Sequence, residues 1–347
     1  MDTFFIEFRD PLFSIIVFFV IIFIITFFSY WWSRYKSKEN SRYLDRFLQQ
    51  FQALPSKDEL RLLISGGELS QKSWLLLASF YFKSGNYEKS IEIYNELLKV
   101  GSVNMKETMY LLGKTYYKAG FLERSKQIFL EILKKNPRTP QALHYLLLVY
   151  EQMRDYESAL EVLEPLDELG EDVTKEKTYL NALMLLSNAQ LSVEEKIREL
   201  IEIYKASHDL SHLIFEYLFR MNPAVAWENF DSSKSELLSD IFWQLDVKDL
   251  NLDIISKNGY LRELYTARGD VKLASSSCVF EFDLLIKLDK KANATLAFEY
   301  VCENCKIAYP FVFHRCSSCH AIATSKVEWR LSRDYHKDFS EENNSFQ

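Results

Sequence analysis

The chain has 347 residues and a formal net charge of −7, so it lacks the charge balance of a general nucleic-acid binder. It has only 9 glycines and neither G-x-x-x-x-G-K-[ST] nor G-x-G-x-x-G, which excludes the familiar phosphate-cradling loops of nucleotide-binding enzymes. Aromatics make up 15% of residues, which suits a mostly α chain with large side chains wedged between helices.

Residues 1–11 contain Asp2, Glu7, Arg9 and Asp10. Residues 12–28 are then apolar except for Ser14 and Thr26, and Tyr30, Trp31 and Trp32 follow. As a helix, 12–32 would cover about 30 Å, the depth of a bilayer's hydrocarbon core. The Tyr-Trp-Trp cluster suits the headgroup level. A cleaved signal peptide fits poorly, because the preceding residues are acidic and bulky rings fill the place of a small-residue cleavage site. Arg34, Lys36, Lys38, Arg42 and Arg46 come next, against Glu39 and Asp45. The excess of Lys and Arg stays on the cytoplasmic side. The expectation is a single transmembrane helix over 12–32 with residues 1–11 outside and the bulk of the chain cytoplasmic. In a Gram-negative cell this means the inner membrane. Residues 33–70 are expected to be a basic juxtamembrane segment with capping helices within 41–64, on either side of Pro55.

Self-similarity begins at 71. Trp74, Leu77, Ala78, Tyr81, Ser90, Tyr94 and Leu97 align with Met109, Leu112, Gly113, Tyr116, Ser125, Phe129 and Ile132. A third set is Leu143, Leu146, Leu147, Tyr150, Ala159, Leu163 and Leu166. The period of about 34–35 residues and the W-x2-L-G-x2-Y…A-x3-F…P pattern belong to tetratricopeptide repeats, pairs of antiparallel helices stacked into an α-solenoid. Small residues let the two helices approach, and large ones (Tyr81, Tyr116, Tyr150, Phe129) fill gaps between units. Gly85 and Gly120 fall at turns, and Pro137 closes a unit. Residues 71–170 thus read as three clear repeats, and 171–275 as degenerate ones. In the latter, 177–191, 193–206, the segment about Leu210–Phe230, 235–245 and 252–267 are expected to be helical. Such arrays bind peptides or partner helices on a concave face, and a homo-oligomer is also compatible with this layout.

From 276 to 335 the period changes. Phe280, Phe282, Leu284, Ile286 and Leu288 alternate with charged residues and predict a half-buried strand. A turn is expected at 290–293. Two more strands follow, one through Leu296, Phe298 and Tyr300 and one through Val327, Trp329 and Leu331. Between them stand Cys302-Glu-Asn-Cys305 and Cys316-Ser-Ser-Cys319. Two Cys-x2-Cys pairs can bring four thiolates around one tetrahedral ion. Zinc is the default, and iron fits the same ligands. Cys316-Ser-Ser-Cys319-His320 is also formally a c-type haem motif. The cytoplasmic side and the matching pair upstream both disfavour haem. Cys278 reads as an ordinary buried thiol. His208 and His212, at i, i+4 spacing, read as surface residues, His314 as solvated or packing, and His320 as a dispensable fifth ligand. Glu194-Glu195 reads as a solvated face. No catalytic constellation emerges, and the chain reads as a non-enzyme. Residues 336–347 are expected to be a disordered tail.

In order and spacing, this layout resembles the lipopolysaccharide assembly protein B family over essentially the whole chain. The most specific part is Tyr300-Val-Cys302-Glu-Asn-Cys305-Lys-Ile-Ala-Tyr-Pro-Phe-Val-Phe-His314-Arg-Cys316-Ser-Ser-Cys319. The resemblance implies a β-rich rubredoxin-like (zinc-ribbon) module whose metal ligands are Cys302, Cys305, Cys316 and Cys319. It also implies an adaptor role, joining an inner-membrane protease to the deacetylase that commits flux to lipid A and so regulating lipopolysaccharide synthesis. A membrane-tethered scaffold for another envelope or secretion complex, and a rubredoxin-like iron redox protein, are the alternatives. Two positions depart from the family pattern: Lys306 stands where glycine is common and Ser317 where proline is.

Overall fold

A computed structural model describes residues 18, 20–28, 57–66, 70–101, 104–288 and 293–333. Residues 18 and 20–28 are helical, with Phe23 and Phe28 largely exposed. Among the described residues no helix is long and apolar enough to cross a membrane. The rest of the expected span, its basic flank, the first capping helix, most of the 290–293 turn and the tail lie outside the described residues. The chain divides into two compact units, 1–153 and 154–347.

The first unit contains α1 (Lys57–Ser65), α2 (Gln71–Lys83), α3 (Tyr87–Val100), α4 (Met105–Lys118), α5 (Leu122–Lys135) and α6 (Pro140–Met153). The pairs α2–α3 and α4–α5 are built to one plan. Each first helix ends at a left-handed glycine, Gly85 at φ 79° and Gly120 at φ 81°. The next N–H reaches back to the carbonyl of Tyr81 or Tyr116, 2.9 Å in both pairs, and the glycine N–H to that of Phe82 or Tyr117, 3.1 Å in both. These are the two bonds of a Schellman ending, and they turn the chain at the same angle twice.

The small residue in each second helix does more than leave room. The Ser90 hydroxyl donates to the Ala78 carbonyl at 2.9 Å, and Ser125, one repeat on, donates to the Gly113 carbonyl at 2.9 Å. Both hydroxyls are buried, so each bond ties two helices together where water cannot compete. Trp74, Ile93, Tyr94, Leu97 and Leu112 form the core around the first pair. In the second, the Phe129 ring stacks on Tyr145 of α6 at 5.6 Å. Gly113 makes this fit possible, because a Cβ there would lie 2.9 Å from the Phe129 ring and 3.1 Å from Ile128.

The second unit opens with α7 (Tyr156–Glu168), α8 (Thr174–Ser187) and α9 (Val193–Ala206), the last starting with a Ser192–Glu195 capping box. Shorter elements follow: α10 (Ser211–Met221), α11 (Pro223–Asn229), a 3-10 turn (Ser232–Leu238), α12 (Ser239–Gln244), α13 (Leu252–Lys257), α14 (Gly259–Arg268) and α15 (Phe280–Lys287). Arg268 binds them by donating to the carbonyls of Phe242, Trp243 and Leu245 at the end of α12. The antiparallel sheet has the order β2-β1-β3, from β1 (Ala294–Cys302), β2 (Ala308–Tyr309) and β3 (Ser325–Arg333).

Three expectations are corrected here. The segment from Phe280 is a helix and not a strand, with Phe282 buried and Phe280 69% exposed. Leu285 breaks the alternation, and Asp283 pairs with Lys287 one turn on at 2.6 Å, so an eight-residue amphipathic segment fits either period. The helix expected over 252–267 is broken at Asn258, whose side chain accepts from the Leu261 N–H to start α14 and donates to the Ser232 carbonyl. The segment 235–245 begins as 3-10 turn before it becomes α12.

The sheet is not a free-standing module. Leu296 and Ile322 belong to the same buried cluster as Leu200, Phe215, Phe242, Leu264 and Phe282. Phe282 stacks on Trp329 of β3 at 5.6 Å. Trp243 donates its indole N–H to Thr295, and the Tyr300 hydroxyl donates to the buried Asp240 carboxylate at 2.9 Å.

Two substitutions test this packing by chemical denaturation. Gly113→Val should destabilise the first unit by about 1–3 kcal/mol, as overpacking against a buried ring does; an unchanged midpoint would mean the ring can move aside. Tyr300→Phe removes a bond to a buried carboxylate and should cost the second unit about 1.5–3 kcal/mol.

Candidate metal centre

The four predicted sulfurs come together at the end of the sheet. Cys302 ends β1 and Cys305 lies in the tight turn to β2, while Cys316 and Cys319 lie in a second hairpin closed by pairing of Arg315 with Ile322. All four Sγ atoms lie within 4.8 Å of one another. Cys302–Cys319 and Cys305–Cys316 are each 3.6 Å apart, far beyond a disulfide bond. A tetrahedral ion with metal–sulfur bonds of about 2.3 Å sets its sulfurs about 3.8 Å apart, so the observed cage fits such an ion closely.

The two turns repeat each other bond for bond. Lys306 N–H donates to the Cys302 carbonyl at 2.8 Å, and Cys302 N–H donates to the Ile307 carbonyl at 3.0 Å. In the second turn, His320 N–H donates to the Cys316 carbonyl at 2.9 Å, and Cys316 N–H to the Ala321 carbonyl at 2.9 Å. In each pair the first cysteine is fully buried and the second half-buried. The residue after each pair is left-handed: Lys306 at φ 60° and His320 at φ 62°. Neither is glycine, so both turns carry strain that the rest of the cage holds in place.

The local field prepares the sulfurs for a cation. Burial pushes the Cys302 thiol up, but the backbone N–H groups of Cys305 and Asn304 and the Thr324 hydroxyl outweigh it and bring it down to about 6. Cys316 is also lowered, against burial, by the N–H groups of Cys319 and Ser318 and the Tyr309 hydroxyl. The Ile307 N–H favours the Cys305 thiolate, yet burial and the three neighbouring sulfurs prevail and push it up to about 12. Negative charge is thus favoured at two sulfurs and resisted at a third by its neighbours. A dication at the centre removes that resistance. These four cysteines could hold one metal ion.

The other singled-out residues fall elsewhere. Cys278 is exposed, not buried, because the helix that replaces the expected strand begins after it. His320 is not among the converging donors. His208 is exposed, with its ring tilted against that of Tyr204 at 4.5 Å. His212 is not a surface residue: its side chain is 14% exposed and its Nε2 lies 3.0 Å from Asp240. His314 pairs with Glu216 at 3.2 Å. Asp240 was invisible as a functional residue in the sequence, since a lone aspartate on a helix is normally solvated. Here burial raises its carboxyl, but the hydrogen bonds from His212 and Tyr300 more than compensate and leave it lowered.

A tetratricopeptide repeat family model matches residues 71–100. Two solved structures, MamA 41-end from Desulfovibrio magneticus RS-1 and the MamA RS-1 ArsTM double mutant, each align at 20% identity with a TM-score of 0.35. Each alignment covers 51% of this chain and 93% of the other. No curated protein matches the chain. The chain is mostly helical, with tetratricopeptide-like repeats and a small C-terminal sheet that carries the cysteine cluster.

Lys306→Gly tests the strain in the first turn. It relieves about 1–2 kcal/mol of left-handed strain, against about 0.5–1 kcal/mol of added chain entropy. The net gain should tighten metal binding several-fold in chelator competition, and unchanged or weaker binding would show that Lys306 is not strained.

Proposed function

We propose that this protein is a non-enzymatic adaptor anchored in the inner membrane, which captures partner proteins on its helical repeats and uses a zinc-loaded four-cysteine centre as structural support. The observation that carries the reading is the cage of four sulfurs within 4.8 Å of one another, two pairs of them at 3.6 Å, on a sheet that packs into the helical core. A site with four protein ligands leaves no open position for substrate, which favours a structural over a catalytic ion. Zinc suits it because four thiolates in a tetrahedron satisfy that ion without a redox partner. The repeats supply the binding surface, since stacked helix pairs of this kind present extended concave faces.

The anchor and its direction rest on the apolar run 12–32 and the basic residues after it. The partners rest on the resemblance to the lipopolysaccharide assembly protein B family: a membrane protease and the deacetylase that commits flux to lipid A. In this reading the chain brings the enzyme to the protease and so limits lipopolysaccharide output.

Depletion of the protein should therefore raise the deacetylase level and lipopolysaccharide output. Unchanged levels would sink the regulatory role while leaving a scaffold for another envelope complex. Crosslinked pull-down from membranes should recover both partners with the native chain and lose them when Cys302, Cys305, Cys316 and Cys319 are all serine. A colourless purified protein containing zinc would exclude the iron redox reading.

A further inference from the structure

We propose that His212, Glu216 and His314 form a second metal site, a two-histidine, one-carboxylate set for a zinc-like divalent ion. It is separate from the cysteine cage in donors and in chemistry. One ring nitrogen from each histidine and one carboxylate oxygen of Glu216 lie within 4.8 Å of one another. His212 and Glu216 stand one turn apart on α10 and so share a face, as paired ligands on a helix must. His314 comes from the loop between the two cysteine turns.

The state of His212 argues for an ion over a simple charge pair. Its Nε2 is held by both oxygens of Asp240, at 3.0 and 3.1 Å. Asp240 is 4% exposed and is itself fixed by the Tyr300 hydroxyl. A neutral histidine that donates Nε2–H to a carboxylate carries its lone pair on Nδ1. That Nδ1 is buried and has no hydrogen-bond partner. The ion pair of His314 with Glu216 at 3.2 Å does not satisfy it. A metal ion does, and the carboxylate–histidine–metal series so formed is the usual means of fixing a ligand's tautomer and raising its basicity.

Ligands about 2.0–2.2 Å from a tetrahedral ion stand about 3.3–3.6 Å apart, so the three donor atoms, within 4.8 Å of one another, draw together when the ion binds. A cavity of about 230 Å³ is lined by both histidines, His212 and His314, together with Leu213, Leu237, Phe313 and Ser325. It leaves the fourth position to water or a small anionic ligand. Three protein ligands and an open position differ in kind from the closed cage of sulfurs. The bound ion would also clasp α10 to the cysteine module.

The test uses the full chain, stripped with a chelator, reloaded with zinc alone at micromolar free concentration, and assayed for metal content by plasma mass spectrometry. Two zinc ions per chain are expected for the native protein and one each for His314→Gln and Glu216→Gln. Asp240→Asn should weaken the second ion about 10–100-fold and leave the first in place. With cobalt as probe, the second equivalent should add visible bands but no further thiolate charge-transfer absorption. That signature decides the matter in the native chain even if a variant misfolds, and the thiolate band separately reports the cysteine cage. One zinc per chain in the native protein would overturn the proposal. So would a second ion retained by both His314→Gln and Glu216→Gln, which would be an adventitious ion only.

Discussion

A three-stranded sheet of this size cannot cover its own faces, and the architecture of the second unit follows from that deficit. One remedy is the helical core. Leu296, Phe298, Trp329 and Leu331 pack into the same cluster as Phe215, Phe242 and Phe282, so the sheet borrows its interior from the preceding helices. The other remedy is the ion that the cysteines could hold. A short segment with little apolar surface gains most of its fixed geometry from such a centre. Strand β1 joins the two. Leu296 lies in the core, Tyr300 reaches Asp240, and Cys302 ends the strand at the cage.

The same logic explains how the repeats tolerate divergence. In the first unit, equivalent positions carry equivalent bonds: a serine hydroxyl to the first helix, and a glycine ending that sets the turn. The third set has Ala159 and Arg154 at these places, the latter left-handed at φ 61° without glycine's freedom. From α10 onward the helices shorten, and specific ties such as Arg268 on three carbonyls replace the repeated ones. A stacked array needs only that each unit cover its neighbour's apolar face, so the bond pattern can drift while burial persists.

What the sequence made legible depended on how local the signal was. The repeat period, the turn glycines and the paired cysteines are written in spacing alone, and Trp74, Tyr94 and Phe129 are buried where the period puts them. The segment 280–287 is a helix where its alternation predicts a strand, because only tertiary packing arbitrates so short a segment, and here Trp329, far along the chain, claims Phe282. Cys278 went with it. Spacing predicts a surface His212 because its partner Asp240 lies on another helix and its neighbour His314 beyond the sheet strand β1. No spacing rule connects residues that only the fold brings together.

The position of Asp240 shows why that concealed cluster matters for the rest. A carboxylate at 4% exposure is costly to bury, and it persists only because groups from two directions donate to it. Tyr300 belongs to the cysteine module and His212 to helix α10, so this one buried charge is shared by both. Arg315, beside Cys316, adds a second link by lying over the Tyr179 ring of α8 at 5.2 Å. Disorder at the cage would therefore propagate. Releasing Cys302 frees the end of β1, loosens Tyr300 two residues away, and strips a donor from the carboxylate that orients His212. The geometry of the cage and the helix packing of this unit are thus coupled through β1 and through Arg315.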